Sequence, residues 1–389
     1  MTDTKRERIC AAALGRIFGY EPLYATALTE RLGSAAAVFG LPEEEVGRIL
    51  GPHSKFRGMI GRAALEAAEA DLERLEGLGC HYVARSEEAF PKLLKDCPDC
   101  PTGLYYRSDS APEEIFADAP AIAVVGTRDI SPYGREWTRK IVDACAQAPV
   151  RPVIVSGLAF GVDITAHLAA LDGGLRTIAV LPCGIDEVYP ASHRKAAERI
   201  AAGAGSALVT DYPPHTSPAA FTFVRRNRII AGLAGCTVLV ESKASGGGLI
   251  TCRLADSYGR EVFALPGRVD DPRSAGCNAL IRNRTAEAIT GLAGLGAQLG
   301  LGRYELRRKK DFVQVVSEFY GRKPGFADAE LIRSAAELIA AKRGIDIEEL
   351  CYSLNLPYNE AARLVTILES DAFISTDLTG RCTINPGNS

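Results

Sequence analysis

Four short segments of glycine, hydroxyl and charged residues each follow a run of apolar residues. Glycines at such a turn let backbone N–H groups approach an anion closely, and serine and threonine hydroxyls add further donors. Small residues in any single turn are also explained by a tight bend, but the set of four favours a group of phosphate-binding turns. The four segments are Gly126-Thr127-Arg128; Ser156-Gly157 with Gly161-Val162-Asp163; Cys183-Gly184-Ile185-Asp186 with Tyr189-Pro190; and Glu241 with Ser245-Gly246-Gly247-Gly248 and Thr251.

Arginines supply the charge that these turns would need. Arg128 ends the first turn and offers a forked, permanently charged donor that suits phosphate oxygens. The densest basic segment is Phe221–Arg228, in which Phe223, Arg225, Arg226, Asn227 and Arg228 follow one another closely. Arginines beside phenylalanines can bind a nucleic-acid backbone while the rings stack on unpaired bases.

This basic segment is predicted to precede a helix over residues 229–233. Cations at a helix N-terminus oppose the helix dipole, so an external anion would balance them. The alternative is a solvated basic helix start with no ligand.

The sequence contains few features that indicate catalysis. The sequence contains neither the Gly-x-x-x-x-Gly-Lys-Ser/Thr motif of ATP-hydrolysing P-loops nor a Gly-x-Gly-x-x-Gly motif after the first apolar run. Asp163, Asp186 and Glu241 lie near the predicted strand ends, where they can act as acids or bases or else fix loops and balance arginines. We therefore predict no cofactor and no catalytic residue.

The eleven cysteines include one Cys-x-x-Cys pair, Cys97 and Cys100. No second pair or histidine cluster completes a zinc-binding set, and Pro98 and Pro101 place the pair in a loop rather than at the start of a helix. We expect a structural role for these thiols and no metal site.

Five continuous apolar runs are predicted to position the turns. Runs of this kind are typical of strands buried on both faces of a parallel sheet, and amphipathic helical patterns separate them. The alternation predicts a doubly wound α/β domain, in which the turns at the strands' carboxyl ends meet at one edge. The runs are residues 121–125, 153–155, 177–181, 237–240 and 261–265.

The flanking segments have helical patterns. Short amphipathic runs interrupted by glycines predict a helical domain over residues 1–80, before an α/β core over residues 81–300. A predicted linker over residues 301–325 precedes residues 326–389, where three helices and two short strands follow the pattern of a winged-helix domain.

Net charge and hydropathy indicate which partners the protein could bind and in which compartment it could act. The formal net charge is −3, but residues 1–119 carry −6, residues 120–290 carry +4 and residues 291–389 carry −1. The basic excess therefore falls on the predicted α/β core, where a polyanion could bind. No apolar run approaches the ~20 residues of a membrane span, and the charged N-terminus differs from a signal peptide. We expect a cytoplasmic protein with no membrane partner.

In sequence, the core resembles the DNA processing protein A (DprA, also called Smf) family of bacterial transformation proteins. The resemblance covers about residues 120–290, in the family's order. It is carried by Val124–Arg128, Ser156–His167, Gly184–Pro190, Arg226–Gly232, Gly247–Thr251, Gly259–Gly267 and Gly276–Ile281.

The resemblance implies an extended Rossmann-like sheet, with a SAM/HhH-like N-terminal domain and a C-terminal winged-helix domain. It also implies single-stranded DNA binding, protection of incoming DNA in natural transformation, loading of the RecA recombinase and homodimerisation through the α/β domain. It implies neither enzymatic turnover nor a cofactor. The predicted DNA- and phosphate-binding residues are Gly126, Thr127, Arg128, Ser156, Gly157, Gly161, Phe223, Arg225, Arg226, Asn227, Arg228, Ser245, Gly246, Gly247, Gly248 and Thr251.

The sequence departs from the family pattern at several positions. Phe160 stands where many members have a basic residue, and Gly248 and Cys252 replace a frequent serine and alanine. The loss of a basic group and a hydroxyl would weaken binding, although Phe160 offers a stacking face instead.

Two alternatives remain open at the level of sequence. The glycine-rich sheet is also similar to that of phosphoribohydrolase-like enzymes, whose loop carries a proline and a glutamate that are missing around Gly246–Thr251. The last predicted helix, residues 359–370, would be the DNA-reading helix of the winged-helix domain. It carries only Arg363 against Glu360 and Glu369, which favours a protein contact over duplex recognition.

Overall fold

The computed structural model describes residues 3–19, 21–51, 54–56, 58–301, 312–321, 328–342, 344–376 and 380–385. The chain divides into two compact units, residues 1–304 and residues 305–389.

Five helices open the first unit. Gly33, in the left-handed conformation, ends the second helix, and the Ser34 hydroxyl accepts the N–H of Ala37 to begin the third. The helices bury Leu14, Phe18 and other apolar side chains in a core that also contains residues of the sheet. These helices are α1 (Asp3–Phe18), α2 (Pro22–Leu32), α3 (Ala35–Phe39), α4 (Glu43–Leu50) and α5 (Arg62–Glu76).

A nine-stranded mixed sheet forms the centre of the first unit. Its order is β1-β2-β6-β5-β4-β3-β7-β8-β9; β1, β2 and β6 pair antiparallel and the other pairs are parallel. The strands are β1 (Cys80–Ala84), β2 (Gly103–Arg107), β3 (Ala121–Val125), β4 (Val153–Ser156), β5 (Thr177–Val180), β6 (Ala207–Thr210), β7 (Cys236–Leu239), β8 (Glu261–Ala264) and β9 (Glu287–Ala288).

Helices cover both faces of this sheet. The central strands are almost wholly buried, because apolar side chains from both faces enter two separate cores. The remaining helices of the first unit are α6 (Lys92–Lys95), α7 (Pro112–Ile115), α8 (Pro132–Ala146), α9 (Val162–Asp172), α10 (Arg194–Ala201), α11 (Ala220–Leu233), α12 (Gly247–Ser257), α13 (Ala275–Arg282) and α14 (Leu295–Gln298), with a 3₁₀ turn at Ala191–His193.

The order of the parallel strands reverses between β3 and β7. The chain proceeds from β3 outward through β4, β5 and β6, and then returns to the other side of β3 to form β7 and β8. This order confirms the predicted doubly wound α/β class and places a topological switch point, the usual ligand crevice of such sheets, beyond the ends of β3 and β7.

The described residues of the second unit form four helices and a two-stranded antiparallel sheet. A helix at Phe312–Gly321 lies within the segment predicted as a linker, and its Val316 and Tyr320 are buried in the core of this unit. The element order agrees with a winged-helix domain, an assignment that stays a prediction, as do the four domain boundaries. The elements are α15 (Phe312–Gly321), α16 (Ala329–Ala341), α17 (Ile347–Leu354), α18 (Tyr358–Ser370), β10 (Ile374–Thr376) and β11 (Cys382–Ile384).

Across the part of the chain that the structure describes, no helix is both long enough and apolar enough to span a bilayer.

Candidate nucleic-acid interface

Backbone hydrogen bonds join the turns that follow β3, β4 and β7. The N–H of Thr127 donates to the carbonyl of Glu241 at 2.8 Å, and the N–H of Val162 donates to the carbonyl of Thr127 at 3.2 Å. The three turns therefore form one continuous surface around the switch point, as the sequence predicted from their positions at strand ends.

Gly161 makes the contact between two of these turns possible. Its φ is +78°, and a Cβ atom at this position would lie 2.2 Å from the carbonyl oxygen of Thr127. The positive φ and the close approach both require glycine, so Gly161 acts on the shape of the surface.

Gly248 brings the N-terminus of α12 against the turn after β3. A Cβ atom at Gly248 would lie 2.7 Å from Leu239 Cδ1 and 3.2 Å from the Cα of Gly126. Ser245, Gly246 and Gly247 are exposed beside it. The first N–H groups of α12 thus lie at the switch point, and no side chain caps them.

An exposed arginine stacked on a phenylalanine lies at the rim of the surface. The Arg128 guanidinium carbon is 4.5 Å from the ring centroid of Phe223, and Phe223 meets Tyr189 edge-on with centroids 5.5 Å apart. Arg128 forms no ion pair with any described residue. We call Arg128, Phe223 and Tyr189 the rim.

Tyr189 lies outside the predicted binding set. Its position after the third apolar run was the one sequence signal that could have placed it at the rim. Arg225 belongs to that set; it is half-buried, and its Nη2 donates to the carbonyl of Gly19 at 3.4 Å.

Arg226 and Arg228 lie beneath the rim, with 3% and 6% of their surface exposed. The prediction that the basic segment precedes its helix is wrong, because α11 begins at Ala220. The N–H of Ala219 donates to Thr222 Oγ1 at 2.9 Å there. Arg226 and Arg228 therefore lie in the second and third turns of α11, and the helix packs them against the ends of the strands.

Arg226 holds the ends of β4 and β5. Its Nη1 donates to the carbonyl of Gly157 at 2.7 Å and also to the carbonyl of Val180. Asp163 accepts the N–H of Gly157 at 3.2 Å. Burial lowers the pKa of Arg226 to about 10 and raises that of Asp163, and each charge partly offsets the shift of the other.

Arg228 and Asn227 tie α11 to neighbouring segments. Arg228 forms an ion pair with Asp211 in which both side chains are 7% exposed, and it also donates to the carbonyl of Asp99. Asn227 Nδ2 donates to the carbonyl of Gly247 at 3.3 Å. We call Arg226, Asn227, Arg228 and their partners the floor.

Ser156 and Thr251 also face inward. The Ser156 hydroxyl donates to the carbonyl of Val124 at 2.6 Å, and the Thr251 hydroxyl donates to the carbonyl of Gly247 at 3.2 Å. Both residues are at most 1% exposed, so their hydroxyls satisfy the backbone beneath the surface.

His167 is buried in the same layer. Its Nδ1 is 2.7 Å from Thr177 Oγ1, and its Nε2 has no hydrogen-bond partner among the residues that the structure describes. Burial, with the Arg226 charge as a second cause, lowers the pKa of His167 to about 3, so the imidazole is neutral at physiological pH.

The acidic residues near the strand ends hold loops. Glu241 Oε2 accepts the N–H of Ser131 at 2.8 Å, and Asp186 accepts the N–H of His215 at 3.1 Å. Asp163 likewise accepts the N–H of Gly157. All three carboxylates therefore hold loops, which is one of the two roles that their positions in the sequence allowed. Within the described ranges, no group of three or more His, Cys, Asp and Glu residues could hold a metal ion.

Both thiols of the Cys-x-x-Cys pair are buried. Burial raises the pKa of Cys97 to about 11 and that of Cys100 to about 12. Thiols of this kind are largely protonated and poorly nucleophilic near neutral pH, which fits the expected structural role.

The sheet region matches a known family. Residues 81–299 match the family model of DNA recombination-mediator protein A. Protein Smf of Synechocystis sp. is 37% identical over 229 residues, which are 59% of this chain and 56% of that protein. DNA processing protein DprA of Streptococcus pneumoniae is 38% identical over 196 residues, which are 50% of this chain and 66% of that protein. The match thus spans less than two thirds of each relative.

Two solved structures share the fold. DNA processing protein A from Streptococcus pneumoniae superposes with a TM-score of 0.58 and 28% identity, covering 76% of this chain and 95% of the other. DNA processing protein A from Helicobacter pylori, whose structure reveals its single-stranded DNA binding mode, gives a TM-score of 0.50 and 29% identity. That alignment covers 57% of this chain and 97% of the other.

Proposed function

Because this chain belongs to the DNA recombination-mediator protein A family, we propose that it binds single-stranded DNA across the carboxyl edge of its sheet. One observation carries the proposal: Arg128 is exposed, stacked on Phe223 and unpaired among the described residues. A charged group held in this way is available to an anion, and the aromatic ring beside it suits a nucleobase.

The rim combines the two interactions that non-specific single-strand binding uses. A guanidinium binds phosphate oxygens through paired N–H donors, while an aromatic face stacks on any base irrespective of sequence. Phe223 and Tyr189 offer adjacent rings beside Arg128. The strand would therefore run across the rim with a phosphate at Arg128 and a base against the aromatic pair.

The N-terminus of α12 adds a second phosphate position. The exposed Ser245-Gly246-Gly247 turn leads into free N–H groups at the positive end of the helix dipole. Because Gly248 packs this end against Gly126, a phosphate bound there would lie close to the one at Arg128.

We assign the floor a positioning role. Arg226, Asn227 and Arg228 are at most 7% exposed and donate to carbonyls and to Asp211, so they fix the rim and the turn at Gly157 without reaching the ligand. Ser156, Gly161 and Thr251 join them in this role. We propose direct phosphate contact for Arg128, for the turn at Thr127 and for the turn at Ser245–Gly248. Arg225 would contact phosphate at the edge of this surface.

The wider role follows from membership of the family. We propose that the protein protects incoming single-stranded DNA in natural transformation and hands it to the RecA recombinase, acting as a homodimer without enzymatic turnover. Incubation with nucleoside monophosphates should release no free base, and release of base would favour the phosphoribohydrolase-like alternative.

Substitution of Arg128 by alanine tests the site. We expect weaker binding of an oligothymidylate and a salt dependence of log K that is smaller by about 0.7, because one phosphate contact on a single strand is lost. Fluorescence anisotropy over a series of salt concentrations measures both quantities.

The matched control is Arg333→Ala, which removes an exposed arginine of the second unit. It should bind like the unmodified protein. Unchanged affinity and slope in Arg128→Ala would refute the assignment of the rim.

A further inference from the structure

The turn that follows β4 exposes an aromatic side chain. Phe160 lies in this turn with 49% of its surface exposed, whereas Leu158, two residues earlier, is fully buried. Leu158 has a φ of +56°, in the left-handed region that side chains other than glycine rarely adopt. The turn thus buries one apolar side chain and projects the other toward solvent.

The ring of His193 packs against this exposed phenylalanine. The ring centroids of Phe160 and His193 are 4.7 Å apart and their planes are inclined by 66°, an edge-on contact rather than a stack. His193 Nδ1 lies 2.8 Å from the carbonyl oxygen of Leu158 and donates to it, because a carbonyl only accepts. The imidazole is therefore tied to the turn that carries Phe160, and the phenylalanine ring is supported before any ligand binds.

The backbone of this turn lies against the backbone of Arg128. A Cβ atom at Gly161 would lie 2.8 Å from the carbonyl carbon of Arg128, and Phe160 precedes Gly161 by a single Cα–Cα step of about 3.8 Å. A strand whose phosphate is bound at Arg128 therefore passes close to Phe160.

A short segment after β5 links this ring to the aromatic pair of the rim. Tyr189 and His193 both belong to it, and the N–H of His193 donates to the carbonyl of Pro190 at 2.9 Å. One end of the segment contacts Phe223 and the other end contacts Phe160. The two aromatic pairs therefore lie along the same edge of the sheet.

We propose that Phe160 is a second stacking position for single-stranded DNA, which receives another base of the strand bound at the rim. The proposal rests on the function proposed for the rim, because Arg128 brings the strand to this turn. An aromatic ring stacks on any base, since every base has a π-face. The ring carries no charge, so this contact adds affinity that does not depend on salt.

Removal of the ring tests the proposal. We expect Phe160→Ala to weaken binding of an oligothymidylate about fivefold or more, the loss expected for one stacked base. The salt dependence of log K should stay the same, because no phosphate contact is lost. Arg128→Ala is expected to lower that slope, so fluorescence anisotropy over a series of salt concentrations separates the two kinds of contact.

A strand without bases gives the sharper test. An abasic strand of the same length keeps the deoxyribose phosphates and has nothing to stack on an aromatic ring. The unmodified protein and Phe160→Ala should therefore bind the abasic strand with equal affinity, whereas Arg128→Ala should still weaken its binding.

Two further variants serve as controls. Phe160→Trp keeps an aromatic face and should retain the affinity for the oligothymidylate. Tyr352→Ala removes an exposed aromatic side chain of the second unit and should bind like the unmodified protein. Circular dichroism verifies that each variant keeps the fold.

The outcomes distinguish this inference from the proposed function. If Arg128→Ala weakens binding of both strands while Phe160→Ala changes neither, the rim stands and only the second stacking position is overturned. Equal losses for both strands in Phe160→Ala, or a lower salt slope, would also overturn it, because the loss of a stacked base explains neither. Indifference of both strands to Arg128→Ala would overturn the rim itself.

Discussion

The rim and the floor of the site use the same residue type in opposite environments. Arg128 is exposed and contacts a ring, whereas Arg226 and Arg228 are buried and bound to carbonyls and a carboxylate. A buried arginine that donates to groups inside the protein does not reach a phosphate at the surface. The comparison therefore supports the proposed ligand contact at the rim and the proposed positioning role of the floor, although all three arginines belong to recognisable motifs.

The largest expected effect concerns stability and the floor. Arg228→Ala leaves Asp211 buried without its partner, so we expect the free energy of unfolding to fall by about 3–5 kcal/mol. Arg128→Ala removes an exposed side chain and should change it by no more than about 0.5 kcal/mol. Urea unfolding followed by circular dichroism measures both.

A double variant sharpens this test. Arg228→Met combined with Asp211→Leu removes both charges together, so most of the lost stability should return. If Arg228→Ala kept its stability and its DNA binding depended less on salt, Arg228 would contact phosphate. That result would contradict the distinction between the rim and the floor.

Acidification should act on His167, which is buried beneath the rim. The folded pKa of His167, about 3, lies below its unfolded value of about 6.5, so the unfolded chain binds the extra proton between these limits and stability falls with pH in that window. At pH 5 this amounts to a loss of about 2 kcal/mol relative to pH 7. The raised pKa of Asp163 acts in the opposite direction as its own carboxyl protonates.

Comparison with His167→Asn isolates the histidine contribution. Urea unfolding of both proteins at pH 7 and pH 5 should show a smaller acid loss in the variant, because asparagine does not titrate. The same loss in both proteins would assign the effect to other groups.

The smallest expected effect concerns the rim. Arg128→Lys keeps the charge but loses the planar guanidinium that lies over Phe223, a cation–π contact that contributes about 0.5–1 kcal/mol at an exposed position. We expect affinity for an oligothymidylate to fall about two- to fivefold while the salt slope stays the same. A slope as low as that of Arg128→Ala would show that the lysine no longer reaches the phosphate.

The sequence predicted the parallel part of the sheet well. The five apolar runs correspond to β3, β4, β5, β7 and β8, because strands buried on both faces need side chains that are nearly all apolar. Strands β1 and β2, which pair antiparallel, contain His81 and Arg107, so their segments lack a continuous apolar run. Strand β9 is only two residues long, too short for a pattern to identify. Strand β6 is as long as β4 and is buried at all four positions, so its apolar pattern could have been recognised.

The meeting of the turns at one edge of the sheet was predictable, but the orientation of the arginines there was not. Turns at the carboxyl ends of parallel strands meet at one edge of the sheet, whatever the sequences of the individual turns. Which arginine of the 225–228 segment points outward depends on where α11 begins, since each residue turns the helix by about 100°. The apolar pattern indicated a start at Ile229, and the true start at Ala220 turns Arg226 and Arg228 toward the interior.

The attachment of the Gly157 turn has a consequence for the rate of binding. Arg226 and Asp163 hold this turn at its carbonyl and its N–H, and Gly161 fixes its far end against Thr127. In the proposed mode of binding, the surface is ordered before DNA arrives, so little conformational entropy is lost on association. The encounter rate is then governed by long-range attraction between the basic edge and the strand, and the residence time by how many bases and phosphates the surface holds at once.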